Sequence, residues 1–596
     1  MKQFFKMVLA TACGFIVVNI VGMILLFSMI GGIMSSSSPT VKAKKGSVFV
    51  LKLDGVVTER YEDAGPIAAL LGQTELNGMG LDDILAAIKR ARDNENIEGI
   101  YIEGGATSFD SPASAQQIRR ALQDFKKSGK WVVAYADQYM QGSYYVCSVA
   151  DDIYLNTTGM IDFRGLGGKS YYLKGLYDKL GIEYQAARVG KYKSYVESVT
   201  RTDMSADDRE QRNAYLQGIW QQWLNEMAES RGVTAESLNQ LADDSIMLFA
   251  NANDYATAKL VDGLLYPDQV KGIICGKLGL TDDAKINQLT LDDMMNLKVK
   301  KDRKDDHVAI YYAYGEIIDE LASSFVSEHA IVGRQTVEDL LSLRNDDQVK
   351  AVVLRVNSSG GSAVASEQIW HAVNLIREKK PVVVSMGGVA ASGGYMISCG
   401  ADYIYAEPTT ITGSIGIFGL VPNVSRLITD KLGVTWDGVS TNKHGDYETN
   451  LIFGKDNKEE MKALQAFTDR GYDNFLTIVS NGRNIEKDSV HAVAQGRVWL
   501  ATDALQHHLI DELGSLDDAV VKAAEMANIN EYSVATYPAK TDWLEQLFAA
   551  EAPQSSYLDG QLRQTLGELY EPIMDLRKDE QRNRLQARMP FSAAIR

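Results

Sequence analysis

Ser392 is the side chain whose setting points most directly to nucleophilic chemistry. It lies in Ser385-Met386-Gly387-Gly388-Val389-Ala390-Ala391-Ser392-Gly393-Gly394-Tyr395, after the apolar run 381–384 and before a helical pattern over 394–400. A serine at a helix start faces unpaired backbone N–H groups and the positive dipole end, which favour a developing anion. The order strand, turn, helix is that of a nucleophile elbow, without its G-x-S-x-G spelling. A second run, Arg355-Val356-Asn357-Ser358-Ser359-Gly360-Gly361-Ser362, closes the preceding strand and opens the next helix. Neighbouring strands of a parallel sheet bring both turns to one carboxyl edge. The N–H groups of Gly360 or Gly361, with that of Gly393, would then form an oxyanion hole, where one donor is worth about 3–4 kcal/mol of barrier. Small residues at such turns also serve packing alone. A phosphate-binding loop would need a following G-K-[ST], which is missing.

Serine needs a base. None of the seven histidines stands in a serine-triad signature. The run Arg188-Val189-Gly190-Lys191-Tyr192-Lys193-Ser194 offers lysines instead. Two lysines in a loop are ordinarily solvated charges. With an ordinary pKa of about 10.4, a lysine acts as a base near neutrality only if burial or a nearby cation lowers it. Burial at a seam is the expected means for either lysine, with like charge from the other lysine and from Arg188.

The elements that carry these runs occur twice, at a spacing of roughly 250 residues. Ile97-Glu98-Gly99-Ile100-Tyr101-Ile102 resembles Val349-Lys350-Ala351-Val352-Val353-Leu354, and Gln117-Ile118 matches Gln368-Ile369. Ala150-Asp151-Asp152-Ile153-Tyr154 matches Ala401-Asp402-Tyr403-Ile404-Tyr405. Asp178-Lys179-Leu180-Gly181 matches Asp430-Lys431-Leu432-Gly433, and Leu260-Val261-Asp262-Gly263 is echoed by Leu509-Ile510-Asp511-Glu512. In the second copy 308–312, 351–356 and 381–386 read as buried strands, and 364–377 as an amphipathic helix between two of them. That alternation predicts βαβ units and a mainly parallel sheet. By this repeat Ser392 pairs with Gln141 and Lys193 with Gly445, so each copy lacks the group that the other supplies. The complementary loss predicts one site per chain, built where the copies meet. His444 belongs to the same copy as Ser392, and the repeat places its segment away from that copy's serine.

The chain of 596 residues divides into a leader and exit segment (1–45), a first copy (46–298), a charged linker (299–306), a second copy (307–535) and a helical, charge-rich tail (536–596). The tail is a surface helix or a partner contact. The stretch 7–34 holds 28 residues without a charge, enough to span a bilayer and longer than a secretory apolar core. It reads as a retained signal anchor in contact with membrane lipid. Lysines on both sides leave its orientation undetermined by charge. A net charge of −17 argues against a nucleic-acid partner. The four scattered cysteines match no metal spacing; Cys13 lies in the apolar leader, and Cys147, Cys275 and Cys399 read as small buried apolar groups.

Taken together, Gly190-Lys191-Tyr192-Lys193-Ser194, Asn357-Ser358-Ser359-Gly360-Gly361-Ser362, Ala391-Ser392-Gly393-Gly394-Tyr395, Thr412-Gly413-Ser414-Ile415-Gly416 and Gly496-Arg497-Val498-Trp499 resemble the signal peptide peptidase A (protease IV) family in its long, duplicated form. The resemblance covers about residues 46–530 and the anchor. It implies an α/β architecture of two tandem ClpP/crotonase-like copies after one N-terminal transmembrane helix. It also implies a serine endopeptidase with a Ser–Lys dyad. Ser392 falls on the family's nucleophile, Lys193 on its base with Lys191 as the fallback, and Ser414 on the serine that orients the lysine. The resemblance further implies cleavage of leftover signal peptides and other apolar peptides, no cofactor or metal, a homotetramer, and a single-pass protein of the bacterial inner membrane with a periplasmic body. Ser359 stands where the family usually has proline, and His508-Leu509-Ile510-Asp511 where it usually has Gly-Leu-Val-Asp. The rival readings are an inactive anchored scaffold and a crotonase-like acyl-CoA enzyme.

Overall fold

The computed structural model describes residues 41–61, 78–244, 247, 249–298, 304–320, 329–540 and 586–588. The expected membrane span 7–34 and the helical reading of 543–584 lie outside these residues, as does most of the linker. Among the described residues no helix is long and apolar enough to cross a membrane.

Alternating β-branched runs and amphipathic helices build the same sheet twice. In the first copy the parallel strands run in the order Gly78–Gly80, Ser47–Thr58, Ile97–Phe109, Trp131–Tyr139, Asp152–Ile161, Gly263–Leu264. In the second, His307–Tyr314, Val349–Ser358 and Val382–Ala391 are parallel neighbours, with Ser533–Tyr537 on one flank and Ile411–Gly413 on the other. The strand Val382–Ala391 is buried along its whole length, as a central strand covered on both faces must be. The strands expected over 308–312 and 351–356 are present with slightly wider bounds, that expected over 381–386 starts one residue later and extends to Ala391, and the helix spans Ala363–Arg377.

The repeat extends to side chains. Asp262 accepts the amide of Ile153 and pairs with Arg231, while Asp511 accepts that of Ile404 and pairs with Arg483. Tyr144 donates to the carbonyl of Leu260 as Tyr395 does to that of Leu509. His508 takes the left-handed conformation (φ 57°), the reason a glycine suits that position. Cys147, Cys275 and Cys399 are free and buried.

The copies are not two beads. Val389, Ala391, Ile411, Val498 and Leu500 of the second copy pack within the apolar core of the first. A third sheet is assembled from both copies, in the order Ala330–Val332, Glu316–Ile318, Gly360–Ser362, Gln586–Arg588, Phe418–Asn423, Glu183–Arg188. Its last pairing is antiparallel, from Phe418 opposite Arg188 to Asn423 opposite Glu183, and it delivers the chain just after Arg188 into the second copy.

Candidate active site

Ser392 caps the helix Gly393–Ser398 directly after the strand Val382–Ala391. Its backbone is in a sparsely populated region (φ 57°, ψ −116°), a strain that recurs where a side chain must be presented at a sharp turn. Its amide is held by the carbonyl of Gly413 at 2.8 Å. Glycine follows out of necessity, because a Cβ on Gly394 would lie 2.5 Å from the carbonyl oxygen of Ser358. That contact locks the helix start against the end of the neighbouring strand Val349–Ser358.

Lys193 reaches this serine from the other copy. Val189 donates to the carbonyl of Ile417, and Tyr192 to that of Gln495 at 3.1 Å. Gly190 (φ 88°) passes so close to Gln495 that a Cβ would meet its carbonyl oxygen at 2.3 Å. The turn is buttressed from the long helix Ala206–Arg231. Gln211 donates to the carbonyl of Tyr192 and accepts from the amide of Val498, and Asp208 accepts from Ser194 Oγ at 2.6 Å. Arg497 stacks on Tyr192 and donates to its hydroxyl.

Lys193 Nζ lies 2.8 Å from Ser392 Oγ, 3.0 Å from Ser414 Oγ and 3.2 Å from the carbonyl oxygen of Ser414. Lys193, Ser392 and Ser414 are each 0% exposed. Among the described residues no carboxylate is a hydrogen-bond or ion-pair partner of Lys193 Nζ. Burial alone holds its pKa well below the usual lysine range. The like charges expected to help are each paired with a carboxylate: Arg188, which also donates to the carbonyl of Lys193, faces Glu197, and Lys191, 52% exposed, faces Asp207. Hydrogen bonding to Tyr192 and Asp207 raises the pKa of Lys191. The geometry thus brings Lys193 to Ser392 and leaves Lys191 at the surface. His444 is exposed and faces Glu460.

Gly360 and Gly361 form the short strand Gly360–Ser362 with left-handed φ values that glycine adopts freely. Gly361 abuts Ile317, whose carbonyl oxygen would be 2.0 Å from a Cβ. The amide of Gly360 is engaged by Ser358 Oγ at 3.1 Å. Gly393 holds the first amide of its helix, one of the donors that no carbonyl of the same helix accepts.

The corresponding place in the first copy is closed. Gln141, buried at the start of the helix Gln141–Cys147, accepts from the amides of Arg164 and Gly165 and donates to the carbonyl of Gly165. Its side chain satisfies the very loop that, one copy on, carries Ser414 and Gly416. Gly445, the counterpart of Lys193, sits in an exposed turn.

Sequence reasoning missed the role of Gly496. A Cβ there (φ 80°) would lie 2.6 Å from Lys193 Cβ. Its motif marked the position without revealing what it approaches.

Two stretches of the chain, 124–273 and 374–530, match the model of peptidase family S49, and 320–410 matches that of Clp protease. Protease 4 from Haemophilus influenzae is 36% identical over 536 residues, covering 86% of this chain and 85% of that protein. Protease 4 from Salmonella typhi is 34% identical over 85% of this chain and 82% of its own. The chloroplastic serine protease SPPA from Arabidopsis thaliana is 29% identical over 82% of this chain and 71% of its own.

Proposed function

This chain belongs to peptidase family S49 and is a serine protease with tandem ClpP-like copies, and we propose that it is a membrane-anchored endopeptidase working through a dyad of Ser392 and Lys193. The observation that carries the proposal is the buried Lys193 Nζ at 2.8 Å from Ser392 Oγ. A lysine buried without a counter-ion is costly and would add nothing to a scaffold. It is the arrangement a general base requires.

A neutral amine has two N–H donors and one lone pair. Donation to Ser414 Oγ and to the Ser414 carbonyl leaves the lone pair aimed at the Ser392 hydroxyl. Ser392 Oγ attacks the scissile carbonyl as its proton passes to Lys193 Nζ, and the ammonium then protonates the leaving amine. Water, deprotonated by the same amine, hydrolyses the acyl-enzyme. The amides of Gly393 and Gly361 stabilise the oxyanion, that of Gly360 being held by Ser358 Oγ. The blocked Gln141 position supports one such site per chain.

Extended peptide binds by strand addition. The pairing of Gln586–Arg588 supports this mode: it runs antiparallel to Gly360–Ser362, the glycine turn of the second copy, and also meets Phe418, at the start of the strand that follows Ser414. An incoming substrate takes the place of that segment. The uncharged stretch 7–34 would hold the body at a membrane surface, and spent signal peptides and other apolar peptides are the proposed substrates. A body on the periplasmic side of the bacterial inner membrane and a homotetrameric assembly complete the proposal.

The test presents the full chain, reconstituted in lipid vesicles, with a synthetic apolar signal-peptide remnant and with a soluble polar peptide of equal length. The reading expects cleavage of the apolar peptide, located by mass spectrometry. Cleavage of only the polar peptide would overturn the substrate class. Cleavage of neither would favour the scaffold.

A further inference from the structure

We propose that Glu59 and Asp110 of the first copy are positioning residues for the hydrolytic site of the second, acting through Arg355 and Asn357. The proposal rests on the reading of Ser392 as nucleophile beside an oxyanion turn at Gly360 and Gly361. It assigns the first copy a task besides supplying Lys193.

Asn357 is the joint. It lies near the end of the strand Val349–Ser358, immediately before the oxyanion turn. Its side-chain Oδ1 accepts from the amide of Val389, three residues before Ser392, at 3.1 Å. Its Nδ2 donates to Glu59 Oε2 and to Asp110 Oδ2, both at 3.1 Å. Its carbonyl accepts from Gly315 at 3.0 Å. One amide side chain therefore ties two first-copy carboxylates to the strand that carries Ser392.

That strand needs a partner at this point. Its ladder to Val349–Ser358 is regular up to Val356 opposite Met386, then resumes with Ser358 opposite Ala390. The strand bearing Ser392 thus carries extra residues in a bulge at 387–389, where backbone pairing lapses. Asn357 Oδ1 replaces a backbone acceptor for Val389, and Thr410 donates to the carbonyl of Gly387. The glycines of the bulge admit the first copy. A Cβ on Gly388 would stand 2.2 Å from Ser111, and one on Gly387 would stand 2.9 Å from Glu59 Oε2. These are the two glycines that precede Ser392 in the sequence without contributing to its turn.

Arg355 holds the carboxylates in place. Its Nε donates to Glu59 Oε1 at 2.6 Å, and its Nη2 to Glu59 Oε2 at 3.3 Å and Gln117 Oε1 at 3.1 Å. Its Nη1 reaches Ser385 Oγ and the carbonyl of Met386, on the strand bearing Ser392. Arg355 and Glu59 are almost wholly buried. One arginine and one glutamate would balance; Asp110, half-buried, makes a second carboxylate beside Glu59. The groups facing it are Glu59, Arg355, Asn357 and Ser114, whose hydroxyl donates to its other oxygen. Burial and then Glu59 push its pKa up to about 6. Ionised, it accepts from Asn357 Nδ2. Protonated, it can carry a donor where Asn357 needs an acceptor, and the hold on the amide weakens.

The test uses the full chain and an internally quenched apolar peptide, with kcat and KM measured from about pH 5 to about pH 9. Asp110→Asn mimics the protonated acid. It is expected to lower kcat about tenfold at alkaline pH with KM within about twofold. The ratio of wild-type to variant kcat should fall towards one as pH drops through about 6, where the wild type gains the same proton. The protonation of the base cancels in this ratio, so the result stands apart from the identity of the base. In an Asn357→Ala background, Asp110→Asn should have no further effect on kcat, as coupled residues require. Wild-type kcat in Asp110→Asn, or a ratio that is constant with pH, would overturn the proposal. If Asn357→Ala does not fold, the pH dependence of the ratio decides alone. Full activity of Ser392→Ala would instead overturn the underlying site reading.

Discussion

Gly496 leaves Lys193 room that any other residue would take. A Cβ at Gly496 would lie 2.6 Å from Lys193 Cβ, 2.7 Å from its nitrogen and 2.8 Å from its Cα. The contact is with backbone and with the stem of a buried side chain, so neither partner can swing away. The φ of 80° at Gly496 adds strain for any L residue.

Gly496→Ala should therefore push Lys193 off Ser392 while leaving the two cores intact. Displacement of a base by about 1 Å costs on the order of 100-fold in turnover. Steady-state cleavage together with thermal unfolding checks this. A variant that folds and keeps wild-type turnover would show that the close packing at Gly496 does not set the position of the base.

The desolvation of Lys193 has consequences for both activity and stability. Activity should rise with pH as the amine loses its proton and should level off well below the ordinary lysine value of 10.5. Its folded-state pKa is lowered, so between that value and about 10.4 the unfolded chain holds a proton that the folded chain lacks. Folding stability then increases with pH through this window, by up to about 1.4 kcal/mol per pH unit from this one group. Lys193→Met removes the term. The variant should be inactive yet melt above the wild type at acidic pH, with the gap closing as pH rises. A gap that is the same at every pH would mean that Lys193 carries the same charge in both states.

Much of this site could be read from the residues because the duplication is an internal comparison. Gln141 against Ser392 and Gly445 against Lys193 mark a division of labour in the sequence itself. The structure adds why the first copy's place is closed: the amide of Gln141 satisfies the loop at Arg164 and Gly165. The parallel strands were legible from their apolar runs, since a fully buried strand cannot tolerate polar alternation.

What escaped the sequence depends on contacts between distant segments. Glu59 and Asp110 sit in no motif, and nothing local distinguishes them from surface carboxylates until Arg355 and Asn357 pack against them. The mixed sheet joins Glu183–Arg188 to Phe418–Asn423, a pairing that neither strand's composition specifies. The expectation that Arg188 and Lys191 would lower the pKa of Lys193 failed for a related reason. Each found its own carboxylate, Glu197 and Asp207, and desolvation was left as the cause.

The most direct test of the split dyad is turnover of a quenched apolar peptide by the purified, folded Lys193→Ala protein, with Lys191→Ala measured beside it. The account predicts a loss of about 1000-fold or more for Lys193→Ala, in the range for removing a general base that also activates the nucleophile. Lys191→Ala should keep most of its activity, since Lys191 faces solvent and Asp207. Near-wild-type turnover by Lys193→Ala would contradict the account, and an inactive Lys191→Ala beside it would move the base to Lys191.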